Sequence, residues 1–141
     1  MSNSDTNLAP YPLAMVICDG IWTDPYTGKM TLLGIFSEVR GSSFPLVHPV
    51  LAIYVALTDG HGSVPVTIRL VDSDEEREPI FSEDQTIEFK DPRMIVEFDL
   101  QFTGVQFSHP GEYRLQLFAN HEFVIERRIV VLSLNEDSKE S

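Results

Sequence analysis

Only one cysteine, Cys18, stands among 141 residues, so no internal disulfide can form and the fold must hold by packing alone. Basic residues are also few: 10 Lys and Arg against 22 Asp and Glu give a formal charge of −12. Such a charge repels phosphate backbones and anionic lipid, which argues against nucleic acid or a membrane as partner, and it attracts basic protein surfaces and cations. Long apolar runs are missing. The longest stretch without a formal charge, between Arg40 and Asp59, contains Gly41, Pro45, His48 and Pro49, so it is not a membrane span. The first residues lack the basic head and apolar core of a secretory signal, and a cytoplasmic setting is the expectation. Helical periodicity is absent too: no window keeps the i, i+3, i+4 pattern for ten residues, and Pro or Gly interrupts most candidates.

What remains is strand periodicity. In Ser108–Ala119 a Pro-Gly turn leads into strict alternation, with Tyr113, Leu115, Leu117 and Ala119 on one face and Arg114, Gln116 and Phe118 on the other. A second strand, Glu122–Leu132, returns at once as a hairpin. Earlier segments read the same way: Leu13–Trp22, Lys29–Val39, Val50–Thr58, Val64–Asp72, Ile80–Phe89 and Met94–Phe102. That makes eight strands, with hairpin turns expected at Thr23–Gly28 and Asp59–Ser63. Gly28 and Gly111 read as turn glycines, and Gly60 and Gly62 as positions free to take positive φ. The fold class is therefore all-β, an immunoglobulin-like antiparallel sandwich without a disulfide, the alternative being a closed barrel. One domain is expected over residues 11–134, flanked by a flexible polar segment, 1–10, and a flexible acidic one, 135–141.

Gly-x-Tyr-x-Leu after a turn is how many such sandwiches enter their penultimate strand, and Tyr113 is expected to tie that corner to nearby backbone. The first strand is apolar on both faces: Leu13, Met15, Ile17 and Ile21 against Ala14, Val16 and Cys18. Such a strand needs cover, from the chain's own loops or from a second copy in a homodimer.

Residues able to carry chemistry are scattered. No nucleophile elbow and no phosphate-cradling glycine loop occurs, and Cys18 reads as a buried thiol within an apolar strand. His48, His61, His109 and His121 form no local ligand pair. If every strand crosses the sandwich, alternate turns share an end. Asp24, Asp59, His61, Asp91 and His121 then gather with Trp22 and Tyr26 at one end, as a candidate metal or catalytic cluster. His48, Asp72, Asp74, Glu75, Glu76 and His109 gather at the other. Turns favour Asp, Asn and Gly for backbone reasons alone, which is the plainer account. A sugar platform would use Trp22, Tyr26 and Phe118.

Several of these stretches together resemble an uncharacterised family of small bacterial immunoglobulin-like β-sandwich proteins. They are Leu13–Asp19, Thr27–Lys29, Leu32–Phe36, Phe44-Pro45, His48-Pro49, Tyr54–Gly60 and Pro110–Leu115. The resemblance implies the sandwich and carries over no activity, cofactor or catalytic residue. Leu115 occupies the place of the second cysteine of a disulfide-bonded immunoglobulin domain, so the antibody-type role does not transfer. The expected function is a non-enzymatic, cofactor-free protein-interaction module, with Trp22 and Tyr26 as contact candidates. The rivals are a metal-dependent enzyme or metal-binding protein at the Asp59 and His61 end, and a small-ligand or carbohydrate binder.

Overall fold

The alternating apolar residues form the interior. Met15 and Ile17, then Leu51, Ile53, Val55 and Leu57, then Val64, Val66, Ile68 and Leu70, and finally Leu115 and Leu117 are buried at a period of two. A computed structural model describes residues 8–73 and 78–134; the expected acidic segment 135–141, residues 1–7, and Asp74, Glu75 and Glu76 lie outside the described residues. Among the described residues there are nine strands: β1 (Tyr11–Thr23), β2 (Met30–Ile35), β3 (Glu38–Gly41), β4 (Leu46–Thr58), β5 (Gly62–Asp72), β6 (Phe81–Phe89), β7 (Val96–Phe107), β8 (Gly111–Ala119) and β9 (Glu122–Ser133). They make two sheets, β2-β1-β4-β7 and β3-β9-β8-β5-β6, packed as a sandwich with the apolar faces inward. Cys18 is buried and free.

Two expectations change. The segment read as a single strand, Lys29–Val39, divides into β2 and β3, which belong to different sheets; this raises the count from eight to nine. The switch is anchored by backbone on both sides: Phe36 N donates to Ile17 O at 3.1 Å, while Val130 N donates to Ser37 O at 2.9 Å. As a result β3 runs parallel to β9, the one parallel pair among the described residues. The turn at Asp59–Ser63 is not a hairpin either, because β4 and β5 lie in different sheets. There the positive φ falls on Asp59 (63°) and Gly62 (66°), not on Gly60.

The divided segment also reverses the allocation of turns to ends. Tyr11 pairs with Thr58 and Cys18 with Ala52, so the rest of β1 runs on toward the end where β4 begins. The chain comes partway back along β2, switches sheets, and climbs again along β3 before entering β4. Asp24, Trp22 and Tyr26 therefore stand at the His109 end, opposite the turns that carry Asp59, His61, Asp91 and His121. Treating 29–39 as one full crossing put them together; half a crossing and a return does not.

Candidate functional site

At the Asp59 end the candidate ligands serve their own turns or solvent. Asp91 Oδ1 accepts from Arg93 N at 2.9 Å and its Oδ2 meets Arg93 Nη2 at 3.2 Å; these bonds hold its carboxyl below the usual carboxylate range. Asp59 donates its N–H to Pro92 O at 2.8 Å. His61 and His121 are exposed, and His121 has a φ of 67° in the β8–β9 turn. Across the molecule, Asp24 Oδ1 accepts from Tyr26 N at 2.8 Å. Asp24 and Asp91 thus both accept the N–H two residues on, which is turn chemistry. Among the described residues no three His, Cys, Asp or Glu side chains approach closely enough to hold a metal.

The other end holds a tighter constellation. Tyr113 Oη donates to His109 O at 2.6 Å and is buried, which is the corner bond its position predicts. Gly111, with φ 148°, lets the chain turn into β8. His109 Nε2 lies 2.7 Å from Oδ2 of Asp72, the one buried charged residue among those described, and its Nδ1 lies 2.8 Å from Pro110 O. An oxygen acceptor therefore faces each ring nitrogen, one from backbone and one from a buried carboxylate. An Asp–His pair that invites comparison with a hydrolase dyad is here a clasp between the end of β5 and the β7–β8 corner. Losing the hydroxyl in Tyr113→Phe is expected to cost about 1 kcal/mol, read as a lower denaturant midpoint at unchanged slope.

Neither does an aromatic platform form. Phe118 pairs with Thr67 in the five-stranded sheet and lies under the Arg69 guanidinium, 4.7 Å from ring centroid to Cζ. Trp22 is half exposed and Tyr26 is 95% exposed, both on the β1–β2 hairpin of the other sheet. Sugar stacking needs these faces side by side, and the topology keeps Phe118 apart from the other two.

The feature the sequence did not disclose is a groove on the flank of the sandwich. β2 pairs only with Cys18–Thr23, so among the described residues the half of β1 from Tyr11 to Ile17 pairs with β4 on one side and with no strand on the other. β3 likewise covers β9 only from Val130 to Ser133. Between these two half-covered edges lies a cavity of about 410 Å³ lined by Met15, Ile17, Ile35, Phe36, Arg127 and Arg128 among others. Arg127 spans it, donating from Nε to Met15 O at 3.0 Å and from Nη1 to Glu126 O at 3.0 Å. Its neighbours Arg114 and Arg128 face the carboxylates of Glu112 and Glu126. Among the described residues Arg127 meets carbonyls and no carboxylate. Ile35, at the mouth, is 66% exposed. A pattern signal did exist: β1 is apolar on both faces, and Ala14, Val16 and Cys18 occupy the face opposite Met15 and Ile17. What no pattern shows is where β2 stops.

Residues 13–132 match the profile of DUF6941, a family of unknown function, and the chain belongs to that family. A comparison with curated proteins gave no match. Among solved structures the chain is similar to β-glucosidase from Listeria innocua in its complex with glucose, at 13% identity and a TM-score of 0.44. It is similar to the complex of that enzyme with isofagomine at 12% identity and a TM-score of 0.41. In both cases 86% of this chain is covered but only 16% of the enzyme, so the chain spans about a sixth of that protein's length.

Proposed function

We propose that this DUF6941 chain is a non-enzymatic protein-interaction module whose flank groove takes up an extended segment of a partner protein. The observation that carries the reading is the Tyr11–Ile17 half of β1, which among the described residues pairs with no strand on its outer side and lies beside an apolar groove. Strand addition uses main-chain hydrogen bonds for affinity and pockets for alternate side chains for specificity. Ile17 O already accepts from Phe36 N, so this edge takes a backbone bond from within the chain itself. Further along, the Met15 carbonyl accepts from Arg127 Nε, a bond that an incoming backbone N–H would share or replace. An incoming segment would continue the line of β2, place apolar side chains against Met15, Ile17 and Phe36, and set a carboxylate against the Arg127 guanidinium. The chain's formal charge of −12 makes a basic surface elsewhere on that partner favourable as well. A cytoplasmic setting belongs to the same reading, supported by the free thiol of Cys18.

The test is quantitative co-purification from the native cell with tagged wild type, Arg127→Gln, Ile35→Asp and, as a control away from the groove, Arg93→Glu. Arg127→Gln keeps a donor for Met15 O while removing the charge, and Ile35 is exposed enough to change without unfolding the chain. The expected result is a protein recovered about tenfold less with either groove variant and fully with the control. Recovery indifferent to both groove variants, or no reproducible partner at all, would overturn the reading.

A further inference from the structure

The two sheets differ on their outward faces. On the five-stranded sheet the outward positions are polar and charged: Arg114 meets Glu126 at 3.0 Å and Arg69 reaches Gln116 at 3.1 Å. The four-stranded sheet departs from this pattern of apolar within and polar without. With Met15, Ile17, Ile53 and Val55 in the core, the residues between them face outward, and they are Val16 on β1 and Tyr54 on β4, followed by Cys18 and Ala52. The ladder sets Val16 beside Tyr54 and Cys18 beside Ala52, one apolar floor across the two central strands. Toward β2 this floor is rimmed by Leu33, which pairs with Gly20 and is 54% exposed. Toward β7 it is rimmed by Glu97 and Asp99, paired with Ala56 and Tyr54. Charge is one-sided as well. None of β1, β2, β4 and β7 contains a Lys or Arg. Among the described residues Asp99 enters no ion pair, and the Glu97 carboxylate meets the Tyr54 hydroxyl and no cation.

We propose that this outward face docks a basic amphipathic helix of a partner protein, as a contact surface separate from the flank groove. Charge complementarity selects the occupant. Rim carboxylates without a cation favour Lys or Arg beside an apolar stripe, and they repel phosphate and anionic lipid. A second copy of this face would bring only the same acids to the contact. The backbone selects a helix. N–H and C=O groups inside a sheet are already engaged in its ladders, so a lone extended segment laid on the face gains no main-chain bonds, whereas a helix satisfies its own. Leu33 on β2 and the carboxylates on β7 stand three strand spacings apart across the sheet, about 14 Å. A helix about 10–12 Å in diameter fits that width, its apolar stripe on Val16, Ala52 and Tyr54 and its basic edge toward Asp99 and Glu97. The flank groove takes no part in this contact, so either proposal can fail alone.

Selection of a displayed random-peptide library against the immobilised full chain tests it, with peptides of about 18 residues, enough for about five helical turns. The expected winners carry apolar residues at i, i+3, i+4 and i+7 with an excess of Lys and Arg, and become helical by circular dichroism when bound. A labelled synthetic winner is then titrated by fluorescence anisotropy. Glu97→Gln combined with Asp99→Asn should weaken binding about fivefold at low salt, and the difference should shrink as salt is raised. Leu33→Ser, at an exposed position, should weaken it about fivefold at any salt with an unaltered circular dichroism spectrum. Arg127→Gln should leave it unchanged. Selection that yields no binder, or acidic or extended ones, would overturn the proposal. So would a peptide indifferent to both face variants, and one lost only with Arg127→Gln would belong to the flank groove and overturn this proposal alone.

Discussion

Replacing Gly60 by alanine should destabilise the protein by about 2 kcal/mol, lowering its thermal midpoint by roughly 6–8 °C. A Cβ at Gly60 would lie 2.3 Å from both Cδ1 and Cε1 of the Phe89 ring and 2.6 Å from its Cγ. The ring has little room to retreat, because Phe89 is buried in the common core. Nor can the backbone easily withdraw, since Asp59 N is bonded to Pro92 O one residue earlier. The cost is therefore steric and should depend on the ring. In a Phe89→Leu background the same substitution should cost distinctly less, because the two positions share one volume. Equal costs in both backgrounds, measured by denaturant unfolding, would rule out the packing account. Gly28→Ala is the informative contrast: nothing lies within 4 Å of a Cβ there, but φ is +76°, so only backbone strain of about 1 kcal/mol is expected.

Gly60 also marks where the sequence stops being legible. Gly-x-Gly between two strand patterns announces a turn, and a turn is there. Which glycine serves conformation and which serves space depends on Phe89, some thirty positions away, and no local pattern records it. The same division runs through the whole fold. Period-two burial identified the strands β5 and β8, because their alternation is set by one buried face. Tyr113 could be assigned to its corner bond because a tyrosine after a tight turn has few other partners within reach.

Sheet membership was another matter. Leu32-Leu-Gly-Ile-Phe36 is apolar throughout, so nothing in it shows that the chain leaves one sheet at Phe36 and joins the other at Ser37. That one switch moved Asp24, Trp22 and Tyr26 to the opposite end, dissolved the supposed cluster with Asp59 and His61, and left half of β1 with no paired strand on its outer side among the described residues. The proposed groove and the misplaced cluster thus have a single cause. A strand apolar on both faces shows that something must cover it; the length of the strand beside it decides what part is left over.

Substituting His109 by alanine should cost about 2–3 kcal/mol, the range for a hydrogen bond to a charged group whose partner stays buried. The thermal midpoint should fall by about 7–10 °C. Among the contacts that converge on this residue are its Nε2 on Asp72 Oδ2, its Nδ1 on Pro110 O, and the Tyr113 hydroxyl on its backbone carbonyl. Alanine keeps the carbonyl bond to Tyr113 and removes both ring bonds, leaving the buried Asp72 carboxylate without its imidazole. The pair closes the corner between β5 and β8, where Asp72 already faces Tyr113 in the ladder. Because the ring is engaged at both nitrogens, this is a structural clasp, and a double-mutant cycle can show it. His109→Ala and Asp72→Asn made singly should each destabilise, and the double variant should lose clearly less than their sum, by about 1.5 kcal/mol or more. Additive losses would mean that the two side chains act independently and that the corner is held by the Tyr113 bond alone.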